Sequence, residues 1–232
     1  MHPLGTSGCA IEGTHPEYKI EGGRYAQEQS WKALHAIASR LRAGITEKEA
    51  IEVAYSVLKE MGSPRSWHRP IVRFGANTRL SYKEKQEPNR CLQAGEVFLI
   101  DIGPNWTLEN FPGVEYEGDV GMTFVCGTGT PAQQACIAIA RQLFNEACEG
   151  WRRQKLAGAA LYEWLNRRAD DLGYALHPEV NGHRIGDFPH LNYFSKGLGT
   201  IADPPSAHLW VLEIHVLSRT EDFGAFFEDT LR

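Results

Sequence analysis

The chain has 232 residues, of which 42% are hydrophobic and 23% are charged, so its composition is that of an ordinary globular protein and its length suits one large α/β domain. A net charge of -5 and a pI near 6.0 provide no basic surface for phosphates, and we expect no nucleic-acid partner. There is no apolar run long enough to span a membrane, and the N-terminus lacks the pattern of a secretory signal. We therefore expect a cytoplasmic protein with no membrane partner.

The first half of the chain predicts two helices followed by strands. Residues 1–24 have no clear period and are interpreted as an N-terminal arm, either mobile or a contact segment, ahead of one domain over residues 25–232. Apolar residues at helical spacing predict a helix from Tyr25 towards Gly44. Thr46 and Glu49 form a capping-box pattern at the start of a second helix that ends by Gly62. Short apolar runs at 71–74, 97–102 and 120–125 predict strands.

The second half repeats this order of elements. Thr130, Pro131 and Gln133 are typical of a helix start, and the periodic residues from Leu161 to Leu172 predict a fourth helix. Strands are predicted near 210–217 and 224–231. Two similar α/β halves tend to enclose a site where they meet, since the cleft between them is concave. The five cysteines are dispersed without a CxxC pair, and we expect reduced thiols.

Four acidic residues lie in or beside these apolar strands. They are Asp101, Asp119, Glu213 and Glu228. An unpaired charge is costly to bury, and four clustered carboxylates would force protons onto some of them unless cations were present. His183, in the glycine-flanked motif NGHRIG, is the candidate histidine for the same site. For any one acid a solvent-facing or salt-bridged role stays open, and for a lone histidine a structural role does.

The ordered motifs HRPIVRFGANT, FLIDIG, GDVGMTF, GHRIGDFPH, VLEI and FFEDT resemble the pita-bread metallohydrolases, the superfamily of methionine aminopeptidase, aminopeptidase P and prolidase (family M24). The resemblance covers residue 25 to the end. It implies a pita-bread fold of two pseudo-symmetric helix-helix-strand halves around a curved antiparallel sheet. It also implies a stand-alone catalytic domain, because aminopeptidase P and prolidase usually carry a large N-terminal domain of their own. A homodimer is left open.

By resemblance, the site holds two divalent metal ions, with Mn, Co, Fe and Zn as candidates. Asp101 would chelate one ion, Asp119 and Glu228 would bridge both, and His183 and Glu213 would complete the coordination of the second ion. A bridging water or hydroxide would be the nucleophile. Glu213 would also shuttle protons, and His68 and His190 would face the substrate as catalytic hydrogen-bond donors.

Two departures from the family bear on the substrate. Ile214 and His215 follow Glu213 where a proline is typical, and Leu191 follows His190 where an acid is usual. The segment between the two aspartates is long, and its Trp106, Phe111 and Tyr116 could form a lid or a pocket wall. The resemblance therefore implies an aminopeptidase or dipeptidase for short peptides, with Xaa-Pro peptides as one class. A metalloenzyme for a non-peptide amide or related metabolite is the alternative, and a non-catalytic scaffold is a third.

Overall fold

The structure is a computed structural model that describes residues 12–85, 90–189 and 196–232. Its first half contains helices α1 (Ile20–Ala38) and α2 (Glu47–Glu60) and strands β1 (Ser66–Phe74), β2 (Val97–Thr107), β3 (Glu115–Glu117) and β4 (Val120–Val125). Its second half contains α3 (Pro131–Gln154), α4 (Gly158–Asp171), β5 (Ala175–Leu176), β6 (His183–Arg184), β7 (Trp210–Leu217) and β8 (Gly224–Thr230). The predicted α/β class, with helices preceding strands in both halves, is confirmed.

Both predicted capping boxes form. The Thr46 side chain accepts a hydrogen bond from the Glu49 backbone N–H while the Glu49 carboxylate accepts from Thr46, and Thr130 and Gln133 make the same pair at the start of α3. Each box satisfies two backbone donors that the first turn of a helix leaves free.

One antiparallel sheet joins the two halves. Its strand order is β1-β2-β4-β8-β7-β5, with β3 added beside β2 and β6 added beside β7. The junction is the pairing of β4 with β8, where Gly121 lies opposite Glu228. Residues from the first and second halves are thereby brought side by side at the centre of the sheet.

The alternation of side chains along the strands separates a core face from a site face. On β2, Phe98, Ile100 and Ile102 are buried in the cluster that covers α1 and α2. Leu99 points the other way and packs against Phe226, so Asp101, two residues further along β2, lies on that second face. The helices cover one face of the sheet, and the candidate site occupies the other.

Helix α1 begins at Ile20, so the predicted start at Tyr25 is wrong. Gly22 and Gly23 weaken the helical signal of the first turn, since glycine has low helix propensity. Tertiary packing outweighs this low propensity. Gly22 packs so closely against the Tyr116 ring that a Cβ at this position would lie 2.4 Å from it. Residues before the helix make contacts as well: the Glu12 carboxylate accepts hydrogen bonds of 2.7 Å from the Ser206 backbone N–H and from the indole of Trp210.

The segment between the two aspartates forms a hairpin and does not line the cavity at the candidate site. Strand β2 continues to Thr107 and pairs with β3, Trp106 lying opposite Tyr116. Trp106 and Tyr116 are buried in the core cluster, and Phe111 packs against it. The expectation of a lid or pocket wall from these three residues is wrong, because a regular hairpin directs their rings into the core.

Two further findings concern the described residues only. Cys91, Cys126, Cys136 and Cys148 are free thiols, whereas Cys9 lies outside the described residues. None of the helices in the described ranges combines the length and the apolar character needed to cross a bilayer.

Candidate metal centre

Three of the predicted ligands form one row across the sheet. Asp101 on β2 lies opposite Gly121 on β4, Gly121 lies opposite Glu228 on β8, and Glu228 lies opposite Glu213 on β7. The glycine provides space within the row, since a Cβ at position 121 would lie 2.9 Å from Glu228 Oε2 and closer still to the Phe226 ring. The register of four strands therefore gathers carboxylates that are distant in sequence.

Asp119 and His183 lie above this row. Asp119 directly precedes β4 and is almost fully buried. His183 Nε2 lies 2.8 Å from Asp119 Oδ2 and 3.7 Å from Glu228 Oε1. The other ring nitrogen, Nδ1, donates to the Arg184 carbonyl oxygen at 2.9 Å, which fixes the ring and turns Nε2 towards the carboxylates.

His68 approaches the site from β1 on the other side. Its Nε2 lies 3.4 Å from both Asp101 Oδ1 and Asp119 Oδ1, and its Nδ1 donates to the Arg69 carbonyl oxygen at 2.8 Å. The ring of Trp67 contacts both histidines edge-on, with centroids 4.4 Å from His68 and 5.1 Å from His183. Each imidazole is thus anchored at Nδ1 by a backbone carbonyl and presents Nε2 to Asp119.

The side chains form two overlapping groups that could each hold a metal ion. Within the described residues these are His68 with Asp101 and Asp119, and Asp119 with His183 and Glu228, the ligand atoms of each group lying within 4.8 Å of one another. Asp119 belongs to both. Glu213 is in neither group, because its Oε2 accepts a 2.8 Å hydrogen bond from the Gly182 backbone N–H.

The electrostatics of the site fit bound cations. Burial raises the pKa values of Asp101, Glu213 and Glu228, and the negative charge of Asp119 raises them further. Burial opposes ionisation of Asp119 as well, but its hydrogen bonds with His183 and His68 outweigh this and lower its pKa. Asp101 Oδ1 and Glu228 Oε2 are buried and have no hydrogen-bond partner among the described residues. Divalent cations would supply the missing partner for both oxygens and stabilise all four carboxylates in their ionised form.

A cavity of about 340 Å³ opens over these side chains. Beyond the candidate ligands and His68, its walls include Trp67, Tyr82, Glu179 and Asn181. No lysine or arginine is among the described residues that line it. The volume is at the small end of the range for ligand pockets, which suits a small substrate or the end of a longer one.

The predicted ligands and His68 therefore meet around this cavity, whereas His190 and Leu191 lie outside the described residues. His208 and His215 are not among the described residues that line it, and His215 Nε2 instead donates to the Thr78 carbonyl oxygen at 2.7 Å. Three residues that contact the candidate ligands or His68 were not predicted from the sequence: Trp67, Gln27 and Tyr162. The one available signal was Gln27, a polar residue on the apolar face of α1.

Comparison with known proteins agrees with the fold. The model of metallopeptidase family M24 matches residues 21–232. Methionine aminopeptidase from Aquifex aeolicus is 22% identical over 195 residues, which are 80% of this chain and 72% of that protein. The solved X-Pro aminopeptidase from Thermotoga maritima superposes with a TM-score of 0.72 at 21% identity, over 92% of this chain and 59% of that one. The prolidase from Pyrococcus furiosus superposes with a TM-score of 0.70 at 18% identity, over 91% of this chain and 59% of that one.

One antiparallel sheet shared by two helix-strand halves, with an acidic centre at their junction, is the pita-bread fold. The chain belongs to metallopeptidase family M24, because the family model matches most of its length. The expected superfamily and the expected class of metallopeptidase-type hydrolase are confirmed. The chain spans only 59% of each of the two solved relatives, so the activities in their names are a basis for proposals alone.

Proposed function

We propose that the protein is a dinuclear metal-dependent aminopeptidase that removes the N-terminal residue of short peptides, with Xaa-Pro peptides as one candidate class. The observation that carries the proposal is that Asp119 is shared by two groups of candidate ligands. A shared carboxylate would join two ions into one centre. Two adjacent ions can stabilise both the attacking and the leaving group of a hydrolysis.

Five side chains would hold the ions: Asp101, Asp119, His183, Glu213 and Glu228. Mixed carboxylate and imidazole ligation suits Mn²⁺, Co²⁺, Fe²⁺ or Zn²⁺. When bound, such ions polarise a scissile carbonyl and lower the pKa of a water molecule. The Glu213 Oε2 atom accepts a hydrogen bond from Gly182, so its other carboxylate oxygen, Oε1, would bind an ion or accept the proton of the attacking water.

The protein's own groups would position the peptide and move its protons. The Glu213 carboxylate can accept a proton from the nucleophilic water and deliver it to the leaving amine. His68 is anchored at Nδ1 by a backbone carbonyl and presents Nε2 to the cavity; as an imidazolium, protonated on both nitrogens, it can donate to the negative charge that develops on the carbonyl oxygen. We propose the same role for His190.

The charge of the cavity supports recognition of an amino group over a free carboxylate. Glu179 lines the cavity beside the candidate ligands, and no lysine or arginine is among the described residues that line it. A free dipeptide would place its C-terminal carboxylate close to these acids. This favours an aminopeptidase acting on tripeptides or longer over a dipeptidase.

A second candidate is hydrolysis of a small non-peptide amide. It rests on Ile214 and His215, which follow Glu213 where the family usually has a proline. Ile214 is fully buried, and His215 lines a small cavity of about 30 Å³ behind Asp101 and Glu213. The side chains that support the backbone after Glu213 therefore differ from the usual proline of the family, and the shape of the substrate site can differ from that of the family as well.

A substrate panel tests the proposal. Protein stripped of metal and reloaded separately with Mn²⁺, Co²⁺, Fe²⁺ or Zn²⁺ is assayed on tripeptides, on dipeptide amides and on free dipeptides, with and without proline in the second position. We expect release of the N-terminal residue, with free dipeptides cleaved most slowly. Metal-loaded protein that cleaves no peptide would refute the proposal and favour the non-peptide candidate.

A cytoplasmic location, a homodimer and the division into an arm and one domain stay predictions.

A further inference from the structure

The backbone of Asp119 is held by a side chain from a distant helix. The Gln27 amide group donates through Nε2 to the Asp119 carbonyl oxygen and accepts, through Oε1, from the Asp119 N–H at 3.0 Å. Gln27 lies on α1 and is buried. Pairing between β2 and β4 reaches Val120, and pairing between β4 and β8 reaches Gly121. Gln27 therefore takes the place of a strand neighbour for Asp119, just beyond the end of the strand.

Glu213 is held in a similar way from α4. The Tyr162 hydroxyl donates to the Glu213 carbonyl oxygen at 3.0 Å and accepts from the Glu213 N–H at 3.2 Å. On this side of β7 the neighbouring strands leave a gap, because β6 pairs with Trp210 and Val211 while β5 pairs with Val216 and Leu217. One hydroxyl group closes that gap and satisfies both backbone groups of Glu213.

Asp101 and Glu228 need no such support. Asp101 lies between Ile71 on β1 and Gly121 on β4, and Glu228 lies between Gly121 and Glu213. Both are interior positions of the sheet with a strand on each side. The four acidic candidate ligands thus fall into two pairs, one with a strand on each side and one that also depends on side chains from helices.

We propose that Gln27 and Tyr162 are positioning residues that orient Asp119 and Glu213 for metal binding. The inference rests on the metal centre of the proposed function. Removing either polar group leaves a buried N–H and a buried C=O without a partner, so the local backbone must shift to find others. Outer partners of metal ligands typically change metal affinity by about 10- to 100-fold when they are replaced.

Direct metal binding tests the proposal without relying on activity. Metal-free wild type, Gln27→Met and Tyr162→Phe are titrated with Co²⁺ by calorimetry and visible absorption. Gln27→Met should weaken both ions by about tenfold or more, since Asp119 is shared, whereas Tyr162→Phe should weaken one. Tyr116→Phe is the matched control, because Tyr116 is equally buried and its hydroxyl also accepts from a backbone N–H, that of Lys19 at 3.2 Å. Its Co²⁺ affinities should stay within about threefold of wild type.

The outcomes separate this inference from the proposed function. Wild type that binds no Co²⁺ would refute the metal centre itself. Wild type that binds two ions, with Gln27→Met and Tyr162→Phe both unchanged in affinity and spectrum, would refute only the positioning roles.

A second measurement covers the case in which the variants fail to fold. Site-specific 3-fluorotyrosine adds a single fluorine atom and retains the hydroxyl group that makes the hydrogen bonds. Its ¹⁹F resonance should shift on addition of Zn²⁺ when the probe is at position 162 and stay in place when it is at position 116. A probe at position 162 that ignores Zn²⁺ in protein shown to bind it would overturn the role of Tyr162.

Discussion

The two pairs of acidic candidate ligands differ in the contacts that fix their positions. Asp101 and Glu228 lie inside the sheet with strands on both sides, so hydrogen bonding between strands determines their positions. Asp119 and Glu213 lie where strand pairing is interrupted and depend on Gln27 and Tyr162. The sheet therefore supplies a rigid base for the site, while the helices complete it. Replacements can test this division.

Substitutions of the ligands should have the largest effect. Asp119→Ala should abolish binding of both ions, because Asp119 belongs to both ligand groups, whereas Asp101→Ala should mainly weaken one. Glu228→Ala should also remove both ions if its carboxylate bridges them as the family resemblance implies. Elemental analysis after reloading with Mn²⁺ or Co²⁺ measures this. Equal losses in the Asp101 and Asp119 variants would contradict the sharing of Asp119.

Replacement of His68 or His190, the two histidines that we propose to be catalytic, should lower turnover. His190→Ala should reduce kcat by about a hundredfold with unchanged metal content, as expected for loss of a donor to the transition state. His68→Ala should reduce kcat similarly and also alter metal content, since His68 Nε2 lies 3.4 Å from both Asp101 and Asp119. Steady-state kinetics at equal metal occupancy measures the loss of turnover, and elemental analysis distinguishes the two variants. Activity of His190→Ala within about threefold of wild type would show that His190 is a bystander.

The hairpin of β2 and β3 should contribute to stability and not to access. Trp106 is buried, and its indole donates to Ser30 Oγ at 2.9 Å, so Trp106→Ala should lower the free energy of unfolding by about 3 to 5 kcal/mol. Metal content of the folded variant should be that of wild type. Denaturant unfolding checks the first expectation and elemental analysis the second. A changed KM with unchanged stability would restore the lid hypothesis.

The protonation of His215 should make stability depend on pH, with an effect smaller than that of replacing Trp106. Burial lowers the pKa of His215 to about 4, from 6.5 when it is free in solution, so the folded protein holds this imidazole neutral. The contribution of this neutral imidazole to the free energy of unfolding is complete above pH 6.5. It is lost as the pH falls towards 4, because His215 binds a proton in the unfolded chain at a higher pH than in the folded protein. The loss amounts to about 2 to 3 kcal/mol. Urea unfolding of wild type and His215→Gln between pH 7.5 and 4.5 should show a flatter profile for the variant, and parallel profiles would contradict the assignment.

Local signals explain why much of the fold could be predicted. The capping boxes at Thr46 and Thr130 depend on residues three positions apart, and the strands at 120–125 and 210–217 follow from short apolar runs. The acidic residues in or beside those strands could be identified because a charged residue is unusual within an apolar run. Their assignment as metal ligands came from the family resemblance.

The parts that could not be predicted depend on contacts across long stretches of chain. Gln27 bonds Asp119 from 92 residues away, and Tyr162 bonds Glu213 from 51 residues away, with no motif in between. The hairpin was misinterpreted for a related reason. Its aromatic residues were placed by their position beside a ligand strand, but pairing with β3 turns Trp106 and Tyr116 into the core.

The central claim is that Asp119 joins two ions into one centre, and electron paramagnetic resonance of Mn²⁺-loaded protein tests it most directly. Mn²⁺ serves as the probe whichever ion the protein binds in the cell. Wild type should bind two Mn²⁺ per chain with the spectrum of a spin-coupled pair, and Asp119→Ala should lose that spectrum. Binding of a single Mn²⁺, or of two ions that give the spectrum of isolated Mn²⁺, would contradict it.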